Sequence, residues 1–127
     1  MHTARNWVLP RDPVTPATAR RHVRTTCDGL PRDLLEVAVL LTSELVTNAV
    51  RYGGPLIVLT VHDDSDALRI EVHDDGPWVE PAGAAEEHPT GGRGLLLVES
   101  LAHTWGTATR GSDRGGKAVW FALSKRA

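Results

Sequence analysis

Residues 43–54 read SELVTNAVRYGG, and this stretch decides how the rest of the chain is read. It closes a longer run, LPRDLLEVAVLLTSELVTNAVRYGG, in which Leu34, Ala38, Leu41, Leu45 and Ala49 recur at three- and four-residue spacing. That period is helical, and Gly53–Gly54 supply the stop. Glu44, Thr47, Asn48 and Arg51 fall at i, i+3, i+4 and i+7, which puts them on one stripe of the helix. Apolar neighbours on both sides make the stripe narrow. Two explanations compete for it. It is either a polar face turned to water or a joint site, in which the Asn48 amide oxygen ligates Mg²⁺ while the Glu44 carboxylate orients or deprotonates a hydroxyl.

Upstream, WVLPRDP reads as a short strand and turn, and a helix is expected from about Pro16 to Cys27–Gly29, with proline in its first turn. Downstream, LIVLTVHDD and ALRIEVHDDG read as two strands joined by the polar turn DDSD, hence an antiparallel hairpin. PWVEPAGAAEEHPTGG, residues 77–92, is a long aperiodic loop, and such loops in small domains are often functional. GLLLVESLAHTWG predicts a helix from about Gly94 to Gly106, and HTWGTATRG with GKAVWFALSK predicts a last hairpin across SDRGG. The order β-α-α-β-β-loop-α-β-β predicts an α+β two-layer sandwich, with a mixed, mostly antiparallel sheet covered on one face by about three helices. It excludes a doubly wound dinucleotide-binding domain, where strand and helix alternate throughout.

Two further stretches carry chemistry. Asp74-Asp75-Gly76 ends the second hairpin strand, where an aspartate can accept from an exocyclic amine such as adenine N6 and Gly76 leaves room for a flat base. A plain Asp-Gly turn explains the same residues. In TGGRGLLLVESL, glycines precede a helix whose free N–H groups and positive dipole end suit phosphate, with Arg93 able to add a charged contact. A flexible joint is the competing reading. No P-loop or G-x-G-x-x-G fingerprint is present. Each signal alone is ambiguous; together, in this order, they describe a nucleotide site.

Composition is consistent with that. The 127 residues fit one domain, residues 1–127, and 24% charged with 41% hydrophobic residues is a globular balance. Lys and Arg number 14 against 16 Asp and Glu, a net charge of −2 that argues against nucleic acid as a partner. A single cysteine, Cys27, and the lack of a signal-like or membrane-length apolar run lead to the expectation of a cytoplasmic chain with no membrane partner. The six histidines form no HExxH or Cys/His cluster.

SELVTNAVRYGG resembles the N box of the GHKL (Bergerat-fold) ATPase superfamily, HDDGP its G1 box, GGRGLLLVESLA its G2 box and GGKAVWFAL its last, glycine-led strand. With the opening WVLPRDPVTPATARRHVR, the whole is most similar to anti-sigma factor serine/threonine kinases and the short actinobacterial histidine kinase-like ATPase regulators. The resemblance implies a Bergerat ATP-binding fold with ATP and Mg²⁺ as cofactors. It makes Glu44 the catalytic base or orienting group, Asn48 the metal ligand, and Asp74 with Gly76 the adenine site. Gly92, Arg93, Gly94 and Leu95 would hold phosphates under a lid at about 78–91, with Arg51 a further nucleotide-site residue. The partners implied are a sigma factor and a STAS-type anti-anti-sigma protein bearing the acceptor hydroxyl, with a homodimer compatible. A non-catalytic module that binds a sigma factor or other regulator is the alternative. A sensor histidine kinase fragment and a topoisomerase-type ATPase are not expected, because no phosphoacceptor-histidine helix pair and no transducer domain accompany the boxes. Two departures touch the adenine pocket: Trp78 stands where a second G1 glycine is usual, and Lys117-Ala118 follow Gly116 where a threonine is frequent.

Overall fold

The computed structural model describes residues 3–75, 92–109 and 116–125, with the side chains of 92–95 and 109 left aside. Its elements are β1 (Thr3–Pro10), α1 (Thr15–Thr26), α2 (Arg32–Tyr52), β2 (Leu56–Asp63), β3 (Ala67–Asp74), α3 (Gly92–Leu101), β4 (Thr104–Thr109) and β5 (Lys117–Ser124). The strands form one sheet in the order β1-β2-β3-β5-β4, and its four pairings all run antiparallel. This is the α+β sandwich that the element order predicts.

Two boundaries differ from the sequence reading. β1 is a full strand of eight residues, because it pairs with β2 from Thr3–Asp63 to Pro10–Leu56. α3 ends at Leu101 rather than near Gly106. Thr104 to Thr109, half of them threonine, take up a register against β5, with His103 N–H already donating to Ala122 O. Strand pairing captures a segment whose helical period had faded.

Alternation places Ile57, Leu59 and Val61 of β2, Leu68, Ile70 and Val72 of β3, and Phe121 and Leu123 of β5 in the buried core. α2 lies over this layer, packed between α1 and α3. Ala38, Leu41, Leu45 and Ala49, the residues that set its period, are all buried, together with Val39 and Val46. Burying Phe121 or a leucine here contributes roughly 1.5–3 kcal/mol each. Cys27 is packed in the same core, and burial pushes its thiol up to about 11, with nearby Asp63 adding to the rise.

Three arginines from the β1–α1 half hold α2 along its length. Arg24 makes a bidentate pair with Glu36, at 2.9 and 3.2 Å. Arg20 Nη1 donates to Ser43 Oγ at 2.8 Å. Arg11 donates from Nε to Val50 O at 2.6 Å and from Nη2 to Arg51 O at 2.9 Å. The last carbonyls of a helix have no partner within it, and a cation there also suits the dipole. The Arg24 pair is half exposed and adds little stability; Arg11 satisfies groups that otherwise need water.

Candidate functional site

The long helix carries its polar stripe as the spacing required. Glu44, Thr47 and Asn48 are half-buried and Arg51 is exposed, while Leu45, Val46 and Ala49 between them are buried. Glu44 lines a cavity of about 500 Å³ together with Leu96, Leu97 and Ser100 of α3. That is within the usual volume range of small-molecule sites, about 300–1,000 Å³. The cavity therefore sits between the α2 stripe and α3, and Asn48 lies one turn along α2 from Glu44.

The C-terminal end of α2 meets the aspartate turn. Gly53 caps the helix, its N–H donating to Ala49 O at 2.8 Å, with φ −92° and ψ −170°, an extended rather than left-handed conformation. Glycine is needed there for space. A Cβ at Gly53 would lie 2.6 Å from Ala49 O and 2.7 Å from Asp74 Cγ. Gly54 N–H then reaches Asp74 Oδ1 at 3.4 Å, and Leu56 N–H donates to Asp75 Oδ1 at 3.2 Å. The chain leaving α2 is thus packed and hydrogen-bonded onto Asp74 and Asp75. SELVTNAVRYGG and Asp74-Asp75, 20 residues apart at Gly54 and Asp74, form one corner.

Asp74 is 3% exposed, and its carboxylate does not stand alone. Lys117, its cross-strand partner on β5, donates from Nζ to Oδ1 at 3.0 Å. Gly116, just before it, has φ 94°, a conformation that glycine adopts freely and other residues rarely do. A buried carboxylate requires such a partner, because an unpaired one is costly to desolvate.

The remaining expected residues are reached less fully. Gly92, Arg93, Gly94 and Leu95 form the first turn of α3, so the glycines lie inside the helix start, where backbone N–H groups have no intrahelical acceptor. Gly76, Trp78 and the lid at about 78–91 lie outside the described residues. For Mg²⁺ the donor chemistry at Asn48 fits, since an amide oxygen is a hard ligand and Glu44 is one turn away. Among the described residues no group of three or more His, Cys, Asp or Glu could hold a metal ion. A cation at Asn48 would complete its shell with phosphate and water oxygens, as Mg²⁺ does at nucleotide sites. Also among the described residues, no helix is long and apolar enough to cross a membrane.

Sequence reasoning took Gly53 and Gly54 only as a helix stop and saw Lys117 only as a departure from a pattern. A positive residue at the start of β5 was visible, but its pairing with Asp74 depends on strand register. Ser100 carries no sequence signal at all.

A structure of the RsbU and RsbW domains of Rv1364c from Mycobacterium tuberculosis is similar to this chain, with a TM-score of 0.71 and 20% identity. The match covers 95% of this chain and 31% of that one, and at this identity it shows the shared fold. No curated protein matches the chain. The family model described as "Histidine kinase-like ATPase domain" matches residues 9–123, nearly the whole length. The chain belongs to the histidine kinase-like ATPase domain family.

Proposed function

We propose that this chain is an ATP-binding regulatory protein of the anti-sigma factor type, acting as a serine/threonine kinase on a STAS-type anti-anti-sigma partner. One observation carries the reading. A single helix, α2, puts Glu44 in the wall of a cavity of about 500 Å³ against α3, while its C-terminal turn packs on Asp74. On this reading Glu44 is the carboxylate for a hydroxyl and Asp74 the carboxylate for a base, with Asn48 between them in sequence. Membership of an ATPase domain family and the likeness to a structure that includes an RsbW domain support the same reading.

In this mechanism Asp74 receives the exocyclic amine of adenine and Gly76 leaves room for the ring. The first turn of α3, Gly92 to Leu95, offers backbone N–H groups to the phosphates, with Arg93 and Arg51 supplying positive charge. Asn48 would hold Mg²⁺, which would supply neutralisation of phosphate charge. Glu44 accepts the proton of the acceptor serine or threonine as its oxygen attacks the γ-phosphorus, and the bond to the ADP oxygen breaks. Phosphoryl transfer asks mainly for such positioning.

The test has two stages. Calorimetry with Mg-ATP should show binding, and γ-labelled ATP with a STAS-domain protein should give phosphoserine or phosphothreonine. Glu44→Ala should lower transfer at least about a hundredfold, the usual scale for a lost general base, with nucleotide binding retained. Transfer that survives the substitution unchanged removes the role assigned to Glu44. A second reading, a non-catalytic module that binds a sigma factor or other regulator, is favoured by the Lys117 contact on the base-reading carboxylate. Binding of Mg-ATP with no transfer to any STAS partner would select it.

A further inference from the structure

β1 is an edge of the sheet, and among the described residues only β2 pairs with it. An edge strand keeps one row of backbone N–H and C=O groups turned away from its neighbour, which an added strand can satisfy. Its two faces differ in chemistry. Arg5, Trp7 and Leu9 register with Val61, Leu59 and Ile57, on the helix side of the sheet. Trp7 is partly buried there, with the His22 ring of α1 stacked on it at 4.6 Å and the Arg5 guanidinium carbon 5.5 Å from its ring centre. Arg21, next to His22 on α1, is exposed, as is Arg5. Burial, then Arg21 and Arg5, lower the His22 pKa, so both cations bear on one spot. Among the described residues neither has an acidic partner, whereas Arg24 pairs with Glu36 and Arg20 donates to Ser43. The opposite face of the same edge is apolar from Val8 onward. Val8, in register with Val58, is 68% exposed, and Leu56, opposite Pro10, is 52% exposed.

We infer that the outer edge of β1 takes an extended, acidic segment of a partner protein as an added strand, with carboxylates set against Arg5 and Arg21 and apolar side chains beside Val8 and Leu56. This edge uses neither Glu44 nor Asp74. Side chains of a strand alternate between faces, so the segment alternates acidic and apolar residues to match both sides of β1. Main-chain pairing supplies affinity, and the alternate side chains supply the choice of partner. A charge on an edge deters strands of like charge; the arginine that repels a basic strand admits an acidic one. Two other occupants fit less well. A second copy of this chain, paired edge to edge, would bring a second set of the same cations to the helix side of the joint, where like charges repel. A single-stranded nucleic acid needs an open aromatic ring for its bases to stack on, and Trp7 already carries His22 and Arg5.

The probe is a labelled peptide of about eight residues, the length of β1, that alternates glutamate and valine, with its lysine–valine counterpart as control. Fluorescence anisotropy on the full chain at low salt should show the acidic peptide bound at least about tenfold more tightly than the basic one. Arg5→Glu combined with Arg21→Glu, both at exposed positions, should reverse that preference. Amide hydrogen exchange with the acidic peptide bound should show new protection at alternate residues of β1. Arg21→Glu alone, which leaves the sheet untouched, keeps the test available if the double variant does not fold, and should weaken the acidic peptide about threefold. No binding of the acidic peptide at about 1 mM overturns the inference. So does equal binding of the two peptides, a preference unmoved by the charge reversals, or binding without new protection in β1. Tighter binding of an oligothymidylate would overturn it in favour of a nucleic acid, and protection of β1 by self-association without peptide would overturn it in favour of a second copy.

Discussion

β3 and β5 present four successive rungs to the helices, and the last differs from the other three. Leu68–Leu123, Ile70–Phe121 and Val72–Val119 are apolar pairs packed under α2. Asp74–Lys117, next along the same face of the same strands, is an ion pair almost as deeply buried. The apolar rungs stabilise the fold through area removed from water. The ionic rung is a poor choice for stability, because taking two charges out of water offsets most of their attraction. Its position is the clue to its use: it adjoins Asp75 and the exit of α2, where Gly54 and Leu56 N–H groups meet the two carboxylates.

The comparison can be broken at either end. Phe121→Ala, in the middle rung, should cost about 3–5 kcal/mol of unfolding free energy in urea, because Phe121 is fully buried. Its effect on nucleotide affinity in the still-folded protein should be small. Gly53→Ala acts on the ionic rung from above. The added methyl meets Ala49 O and Asp74 Cγ at less than 3 Å, so it should cost on the order of 1–3 kcal/mol, the overpacking scale. Unlike Phe121→Ala, it should weaken ADP binding beyond what its loss of stability explains, because it displaces Asp74, the carboxylate we propose as the acceptor for the base. Equal ratios of binding loss to stability loss in the two variants would erase the distinction between the rungs.

The smallest effect lies far from both. His22 stacks on Trp7 at 4.6 Å, and burial, then Arg21 and Arg5, hold its pKa below the usual 6.5. A histidine lowered in the folded state contributes stability that is present above its unfolded pKa of about 6.5 and is lost as pH falls from there through the lowered folded value. Chemical denaturation from pH 7.5 to 5 should show this decline in the wild type and less of it in His22→Gln.

Much of this was legible in the sequence, for a physical reason. The period of Leu34 to Ala49 is dictated by burial of one helix face, and alternation in β2 and β3 by burial of one sheet face. Both periods write the element type into the residues. The polar stripe that carries Glu44 and Asn48 was legible in its spacing, and the structure places it half-buried on α2; its use was not legible from the helix alone. What stayed hidden depends on register between distant segments. Nothing local to Lys117 says that it will stand opposite Asp74, 43 residues away. Nothing local to Gly53 says that Asp74 will lie against it. The end of α3 was misplaced for a similar reason: β4 exists because β5 is there to pair with it.

The three arginines along α2 have a consequence for motion. A packed helix can ratchet past its neighbours by one turn, about 5.4 Å. For α2 such a slip would break the contacts of Arg24 with Glu36, Arg20 with Ser43 and Arg11 with the Val50 and Arg51 carbonyls at once. These contacts sit at the beginning, middle and end of the helix, so no partial slide preserves two of them. Glu44 and Asn48 are therefore carried on a helix tied to the β1–α1 half at three points along its length.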